Sequence, residues 1–368
     1  MSGPRTVAGR SRRLSGAERA RRLVPVAIAT PIEAELVASI RAVSDRVSVL
    51  YRPELLPPTR YPDDHRGVEG FRRDAHDQAR WQEMLARAEV LFGIPGDSPE
   101  GLAAAVRGST RLRWIQGTAA GTGEQLKAAR LGEDELERVA VTSASGVHVG
   151  PLAEFCLFGL LAFTKGLPRL QADQRAQRWD HYPVAELRGR TLLVLGLGSI
   201  GSEVARLAKA FGMRTLAINR RGTSDSPHVD EVHPPQSLHE LLPRADALVV
   251  TLPLTDETAG MLDARAFARM KPGAILVNVG RGGVIDEPAL VRALREHRLA
   301  GAALDVFATE PLRNASPLWE LPNVVLSPHT AALSVHENER LVELFAANLR
   351  RYLAGEELVG RVDPTHFY

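Results

Sequence analysis

Thr191-Leu192-Leu193-Val194-Leu195-Gly196-Leu197-Gly198-Ser199-Ile200-Gly201 joins two kinds of local structure. The five residues before Gly196 form a short continuous apolar run, the pattern of a strand buried on both faces. Residues 199–211 (SIGSEVARLAKAF) place apolar side chains at helical spacing. Strand, glycine turn and helix therefore read as one unit. Gly196 allows the tight turn, Gly198 lets a pyrophosphate approach the backbone, and Gly201 lets the helix pack closely on the strand, with its N-terminal amides facing an anion. Ordinary turns also carry glycines at this spacing; the flanking strand and helix set this one in a dinucleotide-binding context.

Beyond the turn the pattern alternates. Strand-like runs at 214–219, 247–252, 274–279, 301–306 and 324–326 are interleaved with helical stretches near 237–242, 264–270 and 288–296. Such alternation of apolar strands with helices predicts a parallel sheet covered on both faces. Ligands of these sheets bind at the carboxyl ends of the strands. Arg281 (VNVGR), Glu310 (LDVFATE) and His329 (VVLSPH) each lie just past a strand end, so the topology carries them to the rim that holds the glycine turn.

These residues resemble the D-isomer-specific 2-hydroxyacid dehydrogenases. The resemblance runs through residues 196–201, Thr251-Leu252-Pro253-Leu254-Thr255, Val277-Asn278-Val279-Gly280-Arg281-Gly282, Leu304-Asp305-Val306-Phe307 with Glu310-Pro311-Leu312, and Ser327-Pro328-His329-Thr330-Ala331. It implies an α/β fold of two Rossmann-like domains, a nucleotide-binding domain inserted into a discontinuous, flavodoxin-like substrate domain. The boundaries expected here are 150–330 for the dinucleotide-binding domain, and 24–149 with 331–368 for the substrate domain. It also implies a homodimer, and cofactor contacts from Gly196, Gly198, Ser199, Ile200, Gly201, Leu252, Pro253, Thr258, Val279, Gly280, Thr330 and Asp305, the last set against the nicotinamide carboxamide.

Chemistry and resemblance assign the same three catalytic roles. Arg281 offers a planar fork that binds a substrate carboxylate at two points and polarises the neighbouring carbonyl. His329 donates the proton that must reach the carbonyl oxygen as hydride arrives, and takes it back in the oxidation direction. Glu310, expected to be buried, orients the imidazole and favours its charged form. Singly, each has a plainer reading: an arginine after a strand is commonly solvated, and a histidine in Ser-Pro-His is commonly a turn residue. No metal is called for by this chemistry.

The end of the second strand bears on coenzyme choice. An acidic residue about 20 positions past the glycines would bind an adenosine ribose and repel a 2′-phosphate. This chain has Asn219-Arg220-Arg221-Gly222-Thr223, with no carboxylate until Asp225. Two guanidiniums there favour NADP(H) over NAD(H); the alternative is a solvent-exposed arginine in an arginine-rich protein.

The N-terminal half also alternates, with strand-like stretches at 24–29, 47–51, 90–94, 112–116 and 139–142 and helical ones at 32–43 and 78–87, the pattern of a second, smaller open sheet. After its fourth strand, Gly117-Thr118-Ala119-Ala120-Gly121 corresponds to the small-residue loop whose amides the family presents to the substrate carboxylate. Ala120 and Gly121 are the candidates for that contact; a tight turn is the plainer reading. The polar segment 63–74 (DDHRGVEGFRRD) breaks the alternation, and either covers the cleft or ornaments the surface. Trp179, His181 and Tyr182 either pack at a dimer contact or reach a partner's active site. His148 and Glu154 read as structural.

A chain of 368 residues, 44% of them apolar, accommodates two sizeable cores. The net charge of +2 gives no support to nucleic-acid binding, and no apolar run reaches the length of a membrane span. One cysteine, Cys156, forms no internal disulfide and fits a reducing, cytoplasmic compartment. Residues 1–23 hold seven arginines against one acidic residue, which reads as a disordered basic tail or an over-called start, a composition that a transit peptide shares, with no apolar segment of the kind that directs secretion.

The expectation is therefore an oxidoreductase acting on a small 2-oxo or D-2-hydroxy acid. Formate dehydrogenases share the fold but carry glutamine where Glu310 stands. Phosphoglycerate dehydrogenases often append a regulatory domain, whereas this chain ends soon after the helix predicted at 337–353. A nucleotide-sensing corepressor, which resembles the family and can retain all three polar residues, is the alternative of a different class.

Overall fold

The computed structural model describes residues 22–367. The tail expected over 1–23 thus lies almost wholly outside the described residues. Two compact units make up the chain: residues up to Val147 together with those from Val335 onward, and His148–Ser334.

The first unit is built on five strands, β1 (Val24–Ile28), β2 (Val47–Leu50), β3 (Val90–Phe92), β4 (Trp114–Gln116) and β5 (Ala140–Thr142). All are parallel, in the order β2-β1-β3-β4-β5, the doubly wound order of flavodoxin-like sheets. Local chemistry starts its helices: Asp74 accepts from the Asp77 amide at 2.8 Å ahead of Ala75–Arg87, and Ser98 from the Gly101 amide at 3.1 Å ahead of Pro99–Gly108. The C-terminal helix Glu337–Ala354 returns to this unit, where Phe345 stacks on Trp114 with ring centroids 5.0 Å apart. Beside that contact a buried polar chain is satisfied internally: Trp114 Nε1 donates to Thr142 Oγ1 (2.8 Å), whose hydroxyl donates to Gln116 Oε1 (2.8 Å).

The second unit holds β6 (Thr191–Leu195), β7 (Arg214–Ile218), β8 (Glu231–His233), β9 (Ala247–Val250), β10 (Ala274–Asn278), β11 (Leu299–Leu304) and β12 (Val324–Leu326). These too are all parallel, in the order β12-β11-β10-β9-β6-β7-β8. The chain order reverses between β6 and β9, which opens a crevice at the carboxyl ends of those two strands. Helix Ser199–Ala210 lays Gly201, Val204, Ala205 and Ala208 on the sheet, and Glu203 and Arg206 pair on its outer face at 2.7 Å. Cys156 is fully buried in helix Val149–Thr164, where burial pushes its thiol up.

Three local expectations are corrected. Strand β11 runs over Leu299–Leu304, two residues ahead of the stretch read from sequence, because Leu299 pairs across to Ala274 before a register shift. The helix expected near 237–242 is one α-turn, Leu238–Leu241, between two 3₁₀ turns, and Pro243 lies in the second of them. Strand β8 was not foreseen at all. No single helix among the described residues is long and apolar enough to cross a membrane.

Candidate active site

Because every strand of the second sheet is parallel, the loops that follow β6, β7, β9, β10, β11 and β12 leave from one edge. Gly196 to Gly201 follows β6, Asn219 follows β7, Leu252 and Pro253 follow β9, Val279 to Arg281 follow β10, Asp305 and Glu310 follow β11, and His329 and Thr330 follow β12.

In the glycine turn, Gly196 has φ +101°, which a side chain would strain, and its carbonyl accepts from Thr251 Oγ1 at 2.6 Å. A Cβ on Gly201 would lie 2.0 Å from that same carbonyl oxygen, so the helix approaches the strand as closely as it does only with glycine there. Around Gly198 the space is open, with no atom within 4 Å of a Cβ built on it. Gly198 provides no side-chain cap, and the first helical bond is Ser202 N–H to Gly198 O at 2.9 Å, which leaves the preceding amides of the turn directed outward. Those amides beside open space fit a pyrophosphate.

Asn219 closes its own loop: Nδ2 donates to Thr223 O (2.8 Å) and Oδ1 accepts from the Gly222 amide (2.7 Å). That leaves Arg220 and Arg221 exposed on the loop, and Arg221 makes no ion pair among the described residues. Glu257, in the loop after β9, is held below the usual carboxylate range by the Thr255 hydroxyl and its own backbone amide, with Arg220 adding its charge. Thr258 turns its hydroxyl inward to Pro253 O (2.7 Å) and so shapes the loop that presents Leu252 and Pro253.

The catalytic candidates are set by close passages between successive loops. A Cβ on Gly282 would lie 1.9 Å from the Phe307 carbonyl carbon, so glycine brings the Arg281 loop against the Glu310 loop. Asn278 braces the Arg281 loop, accepting from the Gly280 amide (3.0 Å) and donating to Arg281 O (3.2 Å). The exposed Arg281 guanidinium donates only to Gly280 O (2.8 Å) and has no carboxylate within ion-pair distance among the described residues. Its fork is therefore open to an incoming carboxylate.

His329 Nδ1 lies 2.7 Å from Glu310 Oε2, while Glu310 Oε1 accepts from the Phe307 amide at 3.0 Å. Both carboxylate oxygens are thus held, and Nε2 is the ring nitrogen left to carry an exchangeable proton. The Glu310 side chain is 35% exposed, not buried as expected, because it sits in a loop at the sheet edge. His329 has φ +57° and donates its amide to Asp305 O at 3.0 Å.

Asp305 is buried, and its Oδ1 takes the Ser327 hydroxyl (2.6 Å) and the Ala331 amide (3.0 Å), gripping the turn that carries His329 from both sides; Ser327 also lies 3.2 Å from the Thr330 hydroxyl. Thr251, Asn278 and Ser327 lie within the motifs quoted from sequence but were given no role there. Each is a small polar residue at the end of an apolar strand, a signal that was present.

Ala120 and Gly121 belong to the first unit. Ala120 is exposed, and Gly121 precedes helix Thr122–Ala128, whose first hydroxyl closes the loop onto Ala119 O at 2.7 Å.

The comparisons accord with this geometry. Residues 157–331 match the family model described as D-isomer specific 2-hydroxyacid dehydrogenase, NAD binding domain. D-3-phosphoglycerate dehydrogenase of Mycobacterium tuberculosis is 35% identical over 294 residues, which cover 76% of this chain and 53% of that protein. Glyoxylate reductase of Aeropyrum pernix is 39% identical over 228 residues, 59% of this chain and 68% of the reductase. A D-isomer specific 2-hydroxyacid dehydrogenase of Xanthobacter autotrophicus, solved with NADPH and MES, superposes with a TM-score of 0.71 at 28% identity, covering 94% of this chain and all of that one. The chain spans about half the length of the mycobacterial relative. With the glycine turn, the loop order and these matches all in agreement, the chain belongs to the D-isomer specific 2-hydroxyacid dehydrogenase family.

Proposed function

We propose that this protein is an NAD(P)H-dependent reductase of a small 2-oxo acid, such as glyoxylate, hydroxypyruvate or a larger 2-keto acid, giving the D-2-hydroxy acid. The observation that carries the reading is the 2.7 Å pairing of His329 Nδ1 with Glu310 Oε2, at the sheet edge that also holds the unpaired Arg281 and the glycine turn.

The nicotinamide coenzyme supplies hydride. The chain's own residues do the rest: Arg281 takes the substrate carboxylate in a two-point contact, fixing which face of the carbonyl is presented and drawing electron density from it. His329 holds a proton on Nε2 and delivers it to the carbonyl oxygen, and Glu310 keeps the imidazolium oriented and charge-balanced. Asp305 and Ser327 hold the histidine turn in place. The roles of Ala120 and Gly121 rest on the resemblance alone.

NADP(H) is the favoured coenzyme. Arg220 and Arg221 are exposed beside an Asn219 that is occupied within its own loop, which supports phosphate recognition over ribose recognition. We further propose a cytoplasmic homodimer; the exposed Phe158, Leu170, Trp179 and Val184, close together in sequence, support the dimer.

The test is loss of nicotinamide absorbance with a panel of 2-oxo acids, run in parallel with NADH and NADPH. Oxidation with at least one acid is expected. Silence across the panel, with nucleotide still bound, would overturn the reductase reading and favour a nucleotide sensor.

A further inference from the structure

The segment after β2, polar and turn-rich in sequence, is a hydrogen-bonded loop in the first unit. Asp64 anchors it: the carboxylate takes Arg60 Nε and Nη2 at 2.7 and 2.8 Å and the backbone amides of Arg60 and Gly67 at 3.0 Å each. The Arg60 guanidinium holds the Asp64 carboxyl well below the usual carboxylate range. Val68 donates its amide to Pro58 O at 2.9 Å, and the Thr30 hydroxyl donates to His65 O at 3.0 Å, tying the loop to the end of β1. Together with helices Ala75–Arg87 and Pro99–Gly108, this loop walls a cavity of about 1040 Å³.

Arg73 lines that cavity in an unusual setting. Its guanidinium carbon lies 4.1 Å above the Trp81 ring and 5.2 Å from that of Phe71, and Nε donates to Leu55 O at 2.6 Å. The group is half-buried, and burial pulls its pKa down. Its terminal Nη groups meet no acceptor among the described residues and no carboxylate lies within ion-pair distance of it; Asp77, paired with Arg80 at 2.9 Å, adds only its charge from farther away. Arg66, exposed in the same lining, also has no ion pair among the described residues. The lining carboxylates Glu69, Glu83 and Glu100 are all exposed, and Glu83 lies toward Arg87 at 3.9 Å. A partly desolvated cation with no carboxylate in direct contact is costly, and a bound anion offsets that cost. Stacked on Trp81 and pinned through Nε, the guanidinium keeps its free edge in a fixed plane, the geometry that matches two oxygens of a carboxylate or phosphate.

We propose that this cavity is a binding site for a small organic anion, with Arg73 and Arg66 taking its carboxylate or phosphate oxygens and Val68, Phe71 and Leu85 receiving its apolar part. Its volume suits a ligand of metabolite size. The lining lies wholly in the first unit, and the proposal does not rest on the proposed reaction.

The test is calorimetric titration of the full-length protein with phenylacetate, phenyl phosphate, neutral phenylacetamide and inorganic phosphate. Saturable binding of at least one aryl anion is expected, with the tighter of the two identifying the headgroup and none for phenylacetamide. Arg73→Lys, which keeps the charge and loses the fork, should weaken it about tenfold or more, and Arg281→Ala should leave it unchanged. Should Arg73→Lys fold poorly by circular dichroism, Ala104→Phe, at an exposed helix position in the lining, blocks the cavity with Arg73 intact and should abolish binding. The proposal is overturned if no anion saturates, if inorganic phosphate binds as tightly as the aryl anions, if folded Arg73→Lys or Ala104→Phe binds as the parent does, or if Arg281→Ala removes the binding.

Discussion

At the scale of single residues, the chemistry divides by what each side chain is free to do. Arg281 keeps an unpaired fork while His329 is tied at Nδ1, so the two should fail differently when removed. Arg281→Ala is expected to raise KM for the 2-oxo acid about 10- to 100-fold through loss of the charge-assisted contact, whereas His329→Ala should lower kcat about 10²- to 10⁴-fold with a smaller change in KM. Steady-state kinetics of both variants separate the roles, and equal effects on both constants would count against them. Glu310→Gln removes the negative charge that balances the imidazolium but keeps an acceptor of similar shape. The alkaline limb of the reduction rate should therefore move to lower pH, since the proton needed by the carbonyl oxygen is lost more easily. A superimposable pH profile would remove Glu310 from the pair. The position of these residues past strand ends was legible in sequence. The grip of Asp305 on Ser327 and Ala331 was not, because it joins residues 22 and 26 positions apart through a fold that periodicity does not specify.

At the scale of elements, legibility followed burial. Strand β6 is a continuous apolar run because both of its faces are covered, and its bounds were readable to the residue. Strand β8 (Glu231–His233) was missed because it lies at the sheet edge and is held by charge: Glu231 meets Arg244 at 2.6 Å, His233 at 3.0 Å and also Arg214. Arg244 first, then His233, brings the Glu231 carboxyl down to about 2. The loop of residues 57–71 shows the same limit, since its order comes from the buried Asp64 carboxylate and not from any period. A depressed carboxyl contributes stability that is present above its unfolded value and lost as pH falls toward the folded one. This loop should therefore keep its protection from amide exchange at neutral pH and begin to lose it below about pH 4. Asp64→Asn should show the loosened loop already at pH 7, costing about 1–3 kcal/mol locally. Unchanged exchange in the variant would mean that packing of Pro57 on Gly67, not the ion pair, holds the loop.

At the scale of the whole molecule, two open parallel sheets were legible because both halves alternate apolar strands with helices, while the strand order and the cavity in the first unit needed tertiary contacts that sequence does not display. Coenzyme choice belongs to this scale as well, since a ligand that binds only the folded chain stabilises it by mass action. At a concentration 100 times its Kd, a coenzyme adds about 2.7 kcal/mol, or a rise in Tm of roughly 5–11 °C for a cooperative unit of this size. If Arg220 and Arg221 recognise a 2′-phosphate, NADPH should raise Tm more than NADH at equal concentration, with the difference narrowing in Arg221→Ala and narrowing further as salt screens the contact. The NADH shift should be nearly unchanged by that substitution, because the glycine turn and the helix N-terminus serve both coenzymes alike. An equal or larger shift with NADH in the parent protein would assign the two arginines to solvent and leave the glycine turn, the His329–Glu310 pair and the family membership where they stand.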